Sequence, residues 1–313
     1  MSSKGPAPSF IRSFVRVAFS FLVLALCVRY IVVHFDWKEI RTVMQQGHPV
    51  MFIATTVACT LAYWALRTWR WRILLGTTQA ARIPWLDLYL CTASGLALAL
   101  VTPFQSGEAV KVELLRKLGR IERFDGYSSF AIERLLDFGS VLVLALIAVA
   151  ADPVWGLNSN VLVGVCCVFV IGVLAAWLVI AKIGRSAGGW LQRLQCYTAR
   201  PAALAGATIL SLASWLVVVA AWHGCLRGVN ISLPAIQSVG LTSVMTLVNI
   251  LSLIPGAVGI SEAGIAMFLQ RMGQEAANAQ AGALMVRLFA LVAIGLGILH
   301  FLLWQAVRKE RRP

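Results

Sequence analysis

Six charged side chains lie in or beside long apolar runs, where a charge is expensive. They are Glu108, Glu133, Arg134, Asp137, Glu262 and Arg287. A charge at membrane depth costs several kcal/mol unless it is paired or wet, so such residues mark the handling of ions or headgroups. Carboxylates there could relay a proton or cation or gate a path, and a guanidinium matches phosphate in fork geometry. Simpler roles are open too. Glu108 and Glu262 sit at the start of returning helices, where a carboxylate caps free amides and meets the favourable end of the helix dipole. Arg134 and Asp137 are three residues apart and could form an internal bridge, and Glu133 and Asp137 share a face at four. Arg287 has no acidic neighbour within a helical turn. Its partner must come from elsewhere, either Glu262 or a lipid phosphate.

Two proline-broken apolar segments position these groups. One is LALALVTPFQSGEAVKV, residues 96–112; the other is NILSLIPGAVGISEAGI, residues 249–265. Each has a proline (Pro103, Pro255), a glycine four residues later (Gly107, Gly259), then a glutamate. Gly256 follows the second proline directly. Each is followed by a long apolar run with an arginine inside it, 31 residues after the first proline and 32 after the second. Proline removes a backbone donor and frees carbonyls upstream; glycine permits a tight reversal. Thr102, Gln105 and Ser106 are candidates to satisfy the freed groups in the first turn, and Asn249, Ser252 and Ser261 in the second. Broken helices at matching places in two halves are a pointer to a transporter's substrate site.

Composition sets the class. Hydrophobic residues are 59% of the 313 and charged residues 13%, which suits a bilayer rather than water. The net charge of +14 clusters at the ends of apolar spans and lacks any nucleic-acid reading module, so nucleic acid is not an expected partner. The seven cysteines form no C-x-x-C pair, the four histidines are scattered, and no phosphate-binding loop occurs, so no metal or other cofactor is expected. The basic N-terminus before a long apolar run reads as an uncleaved first span.

Full spans are expected at 14–35, 49–66, 127–151, 161–181, 203–224 and 282–306, each near the 20 or so residues that cross hydrocarbon. The broken regions, 86–118 and 236–272, read as re-entrant hairpins. With both termini cytoplasmic, nineteen basic residues then fall inside and four outside. The inside set includes Arg67, Arg70, Arg72 and Arg82, then Lys111 to Arg123. Trp64, Trp69, Trp71 and Trp85 around RTWRWR read as an interfacial anchor. The expected fold is therefore an all-α polytopic membrane protein. It has about six full spans plus two re-entrant helical hairpins, eight apolar segments in one integral membrane domain over 1–313. Residues 14–151 and 161–306 would be inverted repeats.

The combination LVTPFQSGEAVKVELLRK, IERLLD and LSLIPGAVGISEAG resembles the flippase-like family typified by the transmembrane region of lysylphosphatidylglycerol synthase, over about residues 14–306. The family often has two glycines after the second proline; here Gly256 is followed by Ala257. The chain ends at Pro313, and the synthase's aminoacyl transfer is not expected of it. The resemblance implies lipid translocation between leaflets of a bacterial inner membrane; no enzymatic activity is expected. The expected substrate is amphipathic and anionic or lipid-linked. The expected headgroup cavity is lined by Glu108, Arg134, Asp137, Glu262 and Arg287, with Glu133 beside them. Membrane lipids are the expected partners, with lipid-biosynthesis enzymes as further candidates. A lipid-linked glycosyl or phosphoryl transferase, with Glu133 and Asp137 as an acidic pair, and a scaffold for lipid synthesis are the alternatives.

Overall fold

The computed structural model describes residues 29, 32–33, 35–76, 82–155, 160–161, 163–165, 167–173, 175, 178, 200–252 and 254–310. Among them the regular structure is entirely helical. Four helices are long and apolar enough to cross a membrane: α2 (Pro49–Leu75), α5 (Arg123–Ala151), α6 (Pro201–Arg227) and α9 (Ala276–Glu310). At 1.5 Å per residue each exceeds the roughly 30 Å of hydrocarbon. They contain the spans expected at 49–66, 127–151, 203–224 and 282–306. The span expected at 14–35 lies almost wholly outside the described residues, and 161–181 is described only in part. Val50, Ile209, Leu291, Ile298 and Leu302 point outward and are exposed. A surface of this kind fits lipid rather than water.

The remaining helices are shorter. Asp36 caps α1 (Trp37–Gln45) by accepting hydrogen bonds from the amides of Lys38 and Glu39, both at 3.1 Å. Next come α3 (Trp85–Ala99), a 3₁₀ turn (Pro103–Ala109) and α4 (Val110–Lys117). The later stretch repeats the plan: α7 (Ala235–Leu251), a 3₁₀ turn (Pro255–Ala257) and α8 (Ile260–Arg271). The correspondence is detailed. Pro49 and Pro201 each open a 27-residue helix at its first turn, where a missing amide costs nothing. Pro84 and Pro234 precede α3 and α7. The same interval separates Pro49 from Pro201 and Pro103 from Pro255.

Packing crosses between the two stretches. Helix α2 lies along α6, α5 packs on α7, and α9 packs on α3. Small residues permit the close approaches, as membrane helices require in the absence of a hydrophobic drive between them. A Cβ on Gly224 would stand 2.4 Å from Thr55 of α2, and one on Gly297 would stand 1.9 Å from the Cβ of Ala97 in α3. Neither Ala97 Cβ nor its backbone can swing aside. Gly297→Ala is therefore expected to pry α9 from α3 and cost about 1–3 kcal/mol. Its unfolding midpoint in detergent, against that of Gly295→Ala with open space around it, checks this.

Outside the apolar spans, Glu113 at the far side of α4 receives hydrogen bonds from Arg116 (2.8 Å) and Arg123 (3.0 Å). Those arginines, in that order, hold its carboxyl down at about 2, below the ordinary 4.5. A lowered pKa stabilises the fold fully above about 4.5 and loses that contribution as pH falls through 2. Glu113→Gln should flatten the pH dependence of the unfolding midpoint in that window. The shift should be small, because the group is solvated.

Candidate functional site

The two turns are built alike. After Pro103, Phe104 and Gln105 both take left-handed backbone, with φ of 52° and 53°. After Pro255, Gly256 and Ala257 do the same, with φ of 62° and 50°. Left-handed backbone costs a non-glycine residue roughly 1–2 kcal/mol. Three of these four positions carry a Cβ, so both tips are strained, as backbone at functional sites often is. In each turn the amide of the glycine four residues after the proline is held by a side chain. The Gly107 N–H donates to Thr102 Oγ1 at 2.7 Å, and the Gly259 N–H to Glu262 Oε2 at 2.6 Å. Thr102 also donates to the Leu98 carbonyl at 3.1 Å. Ser252 Oγ accepts from the Ile254 amide at 3.1 Å. Of the polar residues expected to serve the turns, Thr102 and Ser252 hold turn backbone directly. Asn249 and Ser261 bond to each other at 3.5 Å.

The tips touch. The Phe104 amide donates to the Ser252 carbonyl at 3.3 Å. A Cβ on Gly256 would stand 3.0 Å from the Leu100 carbonyl oxygen. The left-handed alanine gives a direct test. Ala257→Gly should leave stability unchanged or raise it slightly, whereas Ala263→Gly inside α8 should lose about 1 kcal/mol. Paired unfolding midpoints decide it.

Behind the first tip lies a network of seven buried or half-buried charges. Glu108 accepts from Arg67 at 3.0 Å, from Lys111 at 2.8 Å and from Arg134. Glu133 accepts from Arg70 at 3.1 Å and from Lys111. Asp137 accepts from Arg134 at 2.6 Å, and from Arg67 and Arg70. Arg70 also donates to Ser211 Oγ at 2.7 Å, which ties α6 to the same network. The Lys111 ammonium stands 4.8 Å from the centre of the Trp71 ring. Four cations face three carboxylates, and every carboxylate has at least two cationic partners. Arg134, 27% exposed, is the open edge.

Behind the second tip the arrangement is smaller. Arg287 donates through Nε to Glu262 and through a terminal nitrogen to the Gly256 carbonyl at 3.0 Å. So Glu262 at once holds the Gly259 amide and the arginine of the following long helix. In the first stretch Glu108 likewise pairs with Arg134 of the following long helix, while Thr102 holds the Gly107 amide. Of the two partners expected for Arg287, the structure uses Glu262.

A cavity of about 1180 Å³, its open mouth included, lies between the tips. Leu100, Thr102, Gln105 and Glu108 line one side; Asn249, Ile254, Gly256, Ser261 and Glu262 line the other. The rest of its wall includes Thr60, Tyr63 and Trp64 of α2, Trp215 and Trp222 of α6, and Arg287 of α9. Of the residues expected on its wall, Glu108, Glu262 and Arg287 are there. Arg134 and Asp137 are not; they stand behind Glu108 in the network, with Glu133.

Three basic residues expected at the cytoplasmic face are instead inside the protein. Arg67, Arg70 and Lys111 are 1%, 0% and 0% exposed. The carboxylates of α5 and the turn draw them in. The tryptophan anchor divides likewise: Trp64 and Trp71 are buried, while Trp69 and Trp85 are exposed and lie edge to face with centroids 5.8 Å apart. The signal for this was present. Thr60, Trp64, Arg67 and Trp71 recur at helical spacing and share one face.

Residues 14–297 match the family described as the lysylphosphatidylglycerol synthase TM region. The chain belongs to that family. Its long apolar helices and this membership make it an integral membrane protein. A protein named Glycosyltransferase AglD, from Haloferax volcanii, is 25% identical over 301 residues. The match takes in 79% of this chain and 47% of that one, so the chain spans about half the length of this curated relative.

Proposed function

We propose that this protein carries the headgroup of an amphipathic lipid between leaflets, through the cavity at the two turn tips. The observation that carries the reading is the meeting of two strained, proline-broken turns at one cavity wall. Unwound backbone is tolerated at membrane depth only where protein buries it or a wet cavity meets it. Helices α3, α4, α7 and α8, of 15, 8, 17 and 12 residues, are short for a crossing. They serve as re-entrant hairpins entering from opposite sides. The repeated plan and the exchanged packing of α5 on α7 and α9 on α3 support inverted repeats, a recurrent transporter architecture. The termini lie on the cytoplasmic side of a bacterial inner membrane, by the bias of basic residues that persists once the buried Arg67, Arg70 and Lys111 are set aside. Lipids are the partners, with enzymes of lipid synthesis as neighbours.

A lipid-linked transferase is the second reading, and the name of the Haloferax relative favours it. Against it, the acidic pair it would use is already committed. Glu133 is bound by Arg70 and Lys111, and Asp137 by three arginines.

Leaflet exchange of fluorescent phospholipids and glycolipids in proteoliposomes tests the proposal. Wild type should accelerate exchange of at least one lipid. Ala290→Phe, which fills the cavity wall, should abolish it while keeping the wild-type unfolding midpoint. Exchange that persists in that variant would remove the cavity from the path.

A further inference from the structure

The cavity's unspent hydrogen-bonding capacity is neutral, and it adjoins aromatic rings. Among the described residues, its charged lining groups are Glu108, Glu262 and Arg287. Each already has an ionic partner: Glu108 has three cations, and Glu262 and Arg287 have each other. Three buried polar atoms on other lining residues have no hydrogen-bond partner among the described residues: Thr60 Oγ1, Trp215 Nε1 and Asn249 Oδ1. Thr60 is 3% exposed and Trp215 7%. A buried polar atom left unsatisfied costs free energy, so several of them on the residues around one cavity favour a ligand that answers them.

The set contains a hydroxyl, an indole N–H and an amide oxygen. It can donate and accept, but it carries no spare charge. An anionic group would find no uncommitted cation on this wall. A ring bearing several hydroxyls would find both kinds of partner. It would also find apolar faces for its C–H groups. Tyr63 and Trp215 lie with centroids 6.2 Å apart at 55°, and Trp64 and Trp222 line the same space. Ligand sites commonly combine such aromatic walls with a few placed polar groups.

We infer that the cavity takes a neutral polyhydroxyl headgroup, a sugar, held by Thr60, Trp215 and Asn249 against the aromatic wall. This rests on the lipid-headgroup reading above and replaces the anionic headgroup expected from the arginines with a neutral one.

The test uses purified full-length protein in a detergent without a sugar headgroup. Fluorescent monoglucosyl diacylglycerol and phosphatidic acid with the same acyl chains are titrated by thermophoresis. The glucosyl lipid should bind at least about tenfold more tightly. Trp215→Phe keeps a ring and loses the N–H; Thr60→Val keeps the shape and loses the hydroxyl. Each should weaken the glucosyl lipid by about three- to tenfold, the worth of one neutral hydrogen bond. Phosphatidic acid should be unaffected by either. Two variants keep the test open if one fails to fold. Equal binding of the two lipids, or no loss in folded variants, overturns the inference. Leaflet exchange on the same preparations separates the two readings. Exchange with no glucosyl preference would leave translocation standing and remove the sugar site. Preferential binding without exchange of either lipid would do the reverse.

Discussion

Asp137→Asn is expected to cost about 3–5 kcal/mol of stability, the range for breaking a buried ion pair by removing one partner. The substitution keeps size and shape, so no cavity is made. What it removes is the charge that answers Arg67, Arg70 and Arg134 together. Four cations would then face two carboxylates, and the excess positive charge would double in a site where Arg67 and Arg70 are almost fully enclosed. Little of that cost should be recovered by salt, since buried pairs are weakly screened.

The opposite change should be mild. Lys111→Met removes one cation and leaves three cations facing three carboxylates. Glu108 would keep Arg67 and Arg134, and Glu133 would keep Arg70. The thioether would lie near Trp71 and Phe130, which now flank the ammonium at 4.8 and 5.5 Å. Sulfur packs well on aromatic rings. A volume-conserving change of this kind should cost under about 1.5 kcal/mol. Both residues are buried and multiply bonded, so counting bonds alone would rank them as near equals. Charge balance ranks them far apart. Denaturant unfolding of both variants in the same detergent decides between the two, and equal costs would refute the balance argument.

Much of the fold was legible because its signals are long. Twenty apolar residues in a row leave few choices, and four of the expected spans became α2, α5, α6 and α9. The turns were legible from proline and glycine, because these residues fix or free the backbone directly. Left-handed backbone at Phe104, Gln105 and Ala257 was not legible, since those side chains disfavour it and only the meeting of the two tips holds them there. The charged network was half legible. Acidic residues in apolar runs stood out, as did Arg134 and Arg287. Arg67, Arg70 and Lys111 looked like ordinary basic residues at the end of a span. Apart from the Glu108–Lys111 pair, three residues apart, their burial depends on carboxylates 22 to 70 residues away in the chain, a relation that no local pattern encodes. Likewise, Glu108 could be placed beside a cavity from its turn, but Arg134 and Asp137 were one layer too deep for the same reasoning.

Arg287→Lys should slow lipid exchange while leaving the fold nearly intact. The guanidinium does two things at once: its Nε binds Glu262, and a terminal nitrogen reaches the Gly256 carbonyl at 3.0 Å. An ammonium is a point charge without that fork. Lysine can keep the pairing with Glu262 but cannot also brace the turn in the same geometry. A hydrogen bond from a charged group is worth about 1.5–3 kcal/mol. If the braced tip is the shape through which a headgroup passes, its loss corresponds to about 10- to 100-fold in rate. Arg287→Ala should sit at the severe end, because Glu262 then loses its cation while still holding the Gly259 amide. Glu262→Gln should keep that amide bond through its carbonyl oxygen and lose the ion pair. Combined with Arg287→Ala, it should add much less than the product of the single effects, since both remove one interaction. The arginine side chain is 21% exposed, so solvent can soften the stability cost. Exchange should therefore fall far more than the unfolding midpoint does. A folded Arg287→Ala protein with wild-type exchange would show that the braced turn has no part in transport.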